Sequence, residues 1–189
     1  MITNHSTDMH GLRMKLILTA ASGAMSKSLI LFLGLICSCG AALASTEPSS
    51  MHTLDYFTGE WACAGSFPAS GKTITSLIRY ESNLGGFALL KHHDDTSPPA
   101  LYHAVEAWGY DAKKQQFNAT ILDNFGGARI FHSEGWKDRT LSWASAAEVQ
   151  PVQRFIYVKL DERSYQVDWQ VAHDGTHFVV GDTLTCKRQ

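Results

Sequence analysis

From Trp61 onward the chain alternates apolar and polar residues in short runs, each broken by Gly, Asp, Asn or Pro. A period of two marks a strand with one buried face, and many short runs with turn residues between them indicate an all-β sandwich or barrel. Ten strands are expected, near Gly59–Phe67, Thr73–Ser82, Gly86–His93, Leu101–Tyr110, Phe117–Asp123, Ala128–Glu134, Thr140–Ser145, Gln153–Leu160, Ser164–His173 and His177–Lys187. The breaks, such as Asn83-Leu84-Gly85-Gly86, Asn124-Phe125-Gly126-Gly127 and Asp174-Gly175, have turn chemistry. Most connections are of hairpin length, so an antiparallel up-and-down order follows. The one short helical signal is Met51 to Phe57, where Leu54 and Phe57 share a face and would plug one mouth of a barrel.

The two ends of this region answer each other. If Gly59-Glu60-Trp61-Ala62-Cys63 pairs antiparallel with Thr185-Cys186-Lys187-Arg188, one register sets Trp61 opposite Arg188 and Cys63 opposite Cys186. That register offers a cross-strand disulfide and a cation over an indole together. First and last strands side by side close a sheet into a barrel and remove its edges. Alternation also assigns faces. Tyr165, Val167, Trp169, Val171 and His173 form the apolar side of their strand, and Asp182 shares a side with Leu184 and Cys186. The strand holding Arg154 is apolar on both sides, so its sense stays open.

The first 44 residues are set apart. Lys27, the apolar run Leu29 to Ile36 and Ala42-Leu43-Ala44 have the order of a secretory signal peptide, with cleavage expected after Ala44. The true start is expected near Met25, and residues 45–53 read as a short linker to a barrel over 54–189. Ile36-Cys37-Ser38-Cys39 loosely resembles a lipoprotein cleavage box, which makes anchoring at Cys39 the alternative. Either way the protein is expected to be exported, periplasmic or secreted. Cys63 and Cys186 are then the two cysteines left, and a disulfide is the default in an oxidising compartment; two buried thiols are the alternative. From Ser45 on, 13 Lys and Arg face 17 Asp and Glu, a net of −4. No basic stripe points to nucleic acid, and no polybasic or amphipathic stretch points to stable membrane insertion.

Leu54-Asp55-Tyr56-Phe57-Thr58-Gly59-Glu60-Trp61 resembles the opening motif of lipocalins, a helical turn leading to Gly-x-Trp on the first strand. In that family the Trp packs against a basic residue of the last strand, a role Arg188 fits, with Gly59 the motif's glycine. Ten strands resemble the fatty-acid-binding and nitrobindin branches of the calycin superfamily. Leu84-Gly85-Gly86-Phe87, Gly109-Tyr110-Asp111 and Gly135-Trp136 resemble motifs of an uncharacterised family of bacterial exported lipocalin-like proteins. The resemblance implies a ligand-holding barrel and leaves its chemistry open.

Lumen candidates follow from burial. Arg154 and Arg129 are costly inside an apolar wall unless a counter-ion or ligand meets them. Fatty-acid-binding relatives use interior Arg and Tyr to hold a carboxylate, which Arg154 with Tyr157 loosely resembles. An outward Arg154, or one paired with Glu106, Asp168 or Asp182, is the alternative. Glu106, Trp108, Trp143 and Trp169 complete the candidate lining. His92-His93-Asp94-Asp95 has metal-ligand residue types, but neighbours on a strand face opposite ways, and no metal ligand is assigned. Nucleophile elbows, phosphate loops and His-Glu-x-x-His motifs are missing, so no catalytic residue and no cofactor is assigned. The expected role is binding a small apolar or amphipathic molecule. The alternatives are haem held by one His as in nitrobindins, an enzyme using a pair such as Glu106 and His132, and a filled barrel with a structural role.

Overall fold

A strand with one apolar face cannot stay single, and a sheet of such strands buries those faces either against a second layer or by rolling on itself. Here it rolls. The computed structural model describes residues 49–97 and 101–189. A short helix α1 (Ser49–His52) and a 3-10 turn (Asp55–Phe57) lead into β1 (Gly59–Phe67) and β2 (Lys72–Asn83). Then follow β3 (Ala88–Asp95), β4 (His103–Asp111), β5 (Gln116–Asp123), β6 (Ala128–Ser133), β7 (Trp136–Lys137), β8 (Thr140–Ser145), β9 (Val152–Asp161), β10 (Ser164–Ala172) and β11 (Val179–Arg188).

All pairings are antiparallel, in the order β6-β5-β4-β3-β2-β1-β11-β10-β9-β8-β7, and a further β6–β8 pairing closes the ring. The wall is therefore a closed ten-stranded up-and-down barrel, and the two-residue β7 hangs from β8 alone. That hairpin lies between the expected strands Ala128–Glu134 and Thr140–Ser145 and turns at Asp138, which adopts a positive φ. The expected strand starting at Gly86 begins two residues later, because Leu84–Gly86 curls into a 3-10 turn. The expected leader over residues 1–44, its alternative anchor at Cys39 and the start of the expected linker lie outside the described residues. The linker's remainder is partly helical and buries Met51. No helix among the described residues is long and apolar enough to cross a membrane.

β1 and β11 pair in the expected register, Trp61 opposite Arg188 and Cys63 opposite Cys186, and the two cysteines are joined as a disulfide. One end of the barrel is sealed around that pair. Trp61 is fully buried, its Nε1 donates to the Phe57 carbonyl at 2.6 Å, and the Arg188 guanidinium lies 4.3 Å over its ring. Arg188 also donates to the carbonyls of Thr58 and Tyr56, so one cation ties the incoming turn to the last strand. Gly59 has φ 116°, and a Cβ there would stand 3.0 Å from the Arg188 guanidinium, so the motif's glycine is needed for both conformation and space. The plug is Phe57, stacked on Trp136 and edge-on to Trp108, Tyr157 and Tyr165.

Because Trp61 joins the helical turn, the last strand and the aromatic floor, Trp61→Ala is expected to cost roughly 3–5 kcal/mol of unfolding free energy by urea denaturation. A loss below about 1 kcal/mol would contradict the role of that indole as the floor.

Candidate functional site

The opposite end of the barrel is hollow. A cavity of about 600 Å³ opens between Phe67, Leu101 and Phe125 at the rim and descends to Lys91, Glu106 and Tyr157. Its walls are mainly Ile74, Ile78, Phe155, Val167, Trp169 and Leu184. The size suits a small organic molecule. Phe125 and Leu101 are 70% and 56% exposed, so the rim presents apolar surface to water.

The floor holds a buried ion pair. Lys91 Nζ donates to Glu106 Oε1 at 2.6 Å and to the Tyr157 hydroxyl at 3.2 Å, and both charged side chains are 4% exposed. Trp108 Nε1 donates to the second Glu106 oxygen at 2.8 Å. The rings of Tyr80, Trp108 and Tyr157 surround the ammonium at 5.8 to 6.0 Å. Burial works to lower the Lys91 pKa, but Glu106 together with Tyr165 and Tyr102 outweighs it and the net direction is upward, so Lys91 stays charged. Burial drives the Tyr80 and Tyr157 hydroxyls well above the ordinary phenol range, which keeps both protonated.

A second charge pair lines the wall. Arg129 Nη2 donates to Asp123 Oδ2 at 2.6 Å, and Nη1 donates to Gln153 Oε1 at 3.0 Å. Gln153 also accepts from Trp169 Nε1 at 3.1 Å, which holds the indole against the wall. Asp95, His93 and Asp182 line the cavity as well. Asp95 accepts from Ser76 Oγ at 2.8 Å; burial pushes its carboxyl up, but the adjacent His93 and Ser76 more than offset this and hold it below the usual range. His93 Nε2 lies 3.5 Å from Asp95 Oδ1, is screened from solvent and has no hydrogen-bond partner; burial lowers its pKa, so the ring is neutral at neutral pH. Asp182 faces the lumen, and burial followed by the charge of Asp95 raises its pKa to about 7.

The structure sorts the candidates. Glu106, Arg129 and Trp169 come together at the cavity. Trp108 and Trp143 pack against each other with ring centroids 4.9 Å apart, toward the sealed end rather than on the cavity wall. Arg154 does not enter the lumen. Its inward neighbours Gln153 and Tyr157 take the interior side, while Arg154 bonds Gln170 at 2.7 Å and lies 3.9 Å over the Phe178 ring on the outer face. The strand's two apolar sides had hidden this, since outer-face Ile156 and Val158 look like core. Glu106 and His132 face opposite sides of the wall, with His132 bonded to Asn118, so the geometry does not form that acid–base pair. His92 and His93 likewise split, His92 outward beside Glu81 and His93 inward.

Lys91, His93, Asp95 and Asp182 escaped the sequence reading as site residues. The parity of Leu89, Lys91, His93 and Asp95 was available, as was that of Asp182 with Cys186, but parity along one strand does not show which polar residues meet across the lumen.

No protein-family model matches the sequence, and the curated proteins contain no match. Among solved structures, Rv2717c from M. tuberculosis is similar with a TM-score of 0.56 and 12% identity, over 76% of this chain and 99% of that one. The structure of EF1p2_mFAP2b bound to DFHBI is similar with a TM-score of 0.43 and 10% identity, over 75% of this chain and 100% of that one. At such identities the likeness concerns fold alone, and the first supports the β-barrel.

Asp182 has a folded-state pKa above its unfolded value, so its contribution is full below about pH 4 and is lost as pH rises through about 7. Wild type should therefore lose stability relative to Asp182→Asn over that interval, by roughly 4 kcal/mol in total. Urea denaturation of both proteins at a series of pH values checks this; parallel curves would refute it.

Proposed function

We propose that this protein is an exported barrel that binds a small, mostly apolar or amphipathic molecule in its lumen, and that it belongs among lipocalin-like exported proteins. The observation that carries the reading is the cavity of about 600 Å³, open at one end and sealed at the other. A fold stabilised only by its core would gain by filling that volume, since empty space forfeits dispersion contacts. Here the space is instead walled by fixed aromatic and aliphatic side chains over a few hydrogen-bonded polar groups, the usual make-up of a ligand site. The Lys91–Glu106 pair supports the same reading, because two buried charges contribute little net stability compared with apolar packing. The disulfide supports export, as such bonds persist in oxidising compartments.

The test uses Nile red, an uncharged fluorophore, titrated into the folded protein. Saturable, blue-shifted emission is expected at about one equivalent, and Val167→Trp, which places an indole in the lumen, should weaken binding about tenfold. The variant's thermal transition serves as the folding control. Emission that never saturates, or affinity untouched by Val167→Trp in a folded variant, would sink the lumen-binding reading.

A further inference from the structure

The charges that line the cavity do not balance. Lys91 is closed by Glu106, and Arg129 by Asp123 and Gln153; the remaining Nε of Arg129 is screened from solvent. Lys72 lines the rim and is exposed. Inside, Asp95 and Asp182 are left with no cationic side chain bonded to either, and the one base beside them, His93, is neutral. The lumen therefore has an excess of acid over base, with hydrogen-bond acceptors facing the space.

The backbone has been shaped around one of these carboxyls. β10 and β11 slip register between Trp169 and Gln170, which leaves Gly181 as the extra residue of a bulge. A Cβ at Gly181 would collide with the Trp169 ring, so the glycine makes room for the indole against β11. The bulge sets Trp169 directly across from Asp182, and Trp169 in turn pairs across β9 with Phe155. All three side chains line the cavity. A carboxylate beside an indole, with a second aromatic ring one strand further along the wall, is the chemistry that recognises an ammonium group carried on an aromatic or apolar body, through charge on one side and a ring quadrupole on the other.

Resting on the lumen-binding reading, we propose that the ligand is an organic amine, with an apolar or aromatic body in the cavity and a protonated nitrogen held between Asp182 and the Trp169 indole. This reverses the head group implied by the fatty-acid-binding resemblance. Inside the lumen an anionic head would meet Lys91 and Arg129 already paired with carboxylates, and Asp95 and Asp182, neither of which has a Lys or Arg bonded to it. A cation supplies the counter-charge that Asp182 lacks. Because binding needs the ionised carboxylate, amine affinity should tighten roughly tenfold between about pH 6 and about pH 8. The charged and titratable groups bearing on Asp182 are Asp95, Lys91 and Asp168, with His93 beside Asp95.

The test compares 1-naphthylmethylamine, 1-naphthalenemethanol and 1-naphthoic acid, three molecules of one shape and three charges, by calorimetry on the wild type. The amine should bind about tenfold or more tighter than the acid. Asp182→Asn, isosteric and free of the buried acid, should collapse that ratio toward unity, and Asp95→Asn should reduce it less; thermal transitions confirm folding of both. An acid that binds as tightly as the amine, or a ratio unchanged in Asp182→Asn, overturns the amine assignment while alcohol binding leaves the lumen reading standing. If none of the three binds and Nile red also fails, both readings fall together.

Discussion

The pairing of β1 with β11 determines which way every other side chain faces. A strand alternates with period two, so a slip of one residue would turn the whole interior set outward. Here the register is held at two points on the same face: the Cys63–Cys186 bond and the Arg188 guanidinium over Trp61. From those points the interior parity runs along β11 to Leu184 and Asp182, and along β1 to Phe67 at the rim. The disulfide spans a sequence separation of 123, so it also removes a large part of the unfolded chain's freedom.

The two ends of the barrel divide the work. At the sealed end, Phe57, Trp61, Trp108, Trp143, Tyr157 and Tyr165 form one continuous aromatic mass, and edge-to-face contacts there add to simple area burial. That packing secures the fold and leaves the other end free to stay open. The Lys91–Glu106 pair sits at the junction, satisfied by Tyr157 and Trp108, so the floor of the cavity is rigid where it is polar. Above it the wall is apolar except for the Arg129 cluster and the acids near His93. The cavity thus combines a dry body with a small set of fixed polar groups, and its chemistry lies in how those groups are paired.

Several of these features could be read along the chain. The alternation located each of the ten wall strands to within about two residues, and Gly-x-Trp after a helical turn marked the sealed end. Leu54 and Phe57 were legible as the plug because both fall on the apolar face of one turn, and both are buried. The site was less legible. Arg154 stood out as an Arg in an apolar strand, yet Gln153 and Tyr157 hold the interior side and it packs on Phe178 outside. Asp182 was legible only as sharing a side with Leu184 and Cys186 and as a possible partner for Arg154, and its importance arises from neighbours on β3 and β10 that are distant in sequence.

The amino-acid sequence by itself determined the strands, the barrel closure and the pairing of Trp61 with Arg188 and Cys63 with Cys186, because each depends on local periodicity and one register. Only the tertiary structure decided which charges are neutralised and which face an open lumen. Alternation tells which side a residue takes, but not what stands across the barrel from it. That depends on the curvature of the whole wall and on irregularities such as the Gly181 bulge, which bring Trp169, Asp182 and Phe155 to one place.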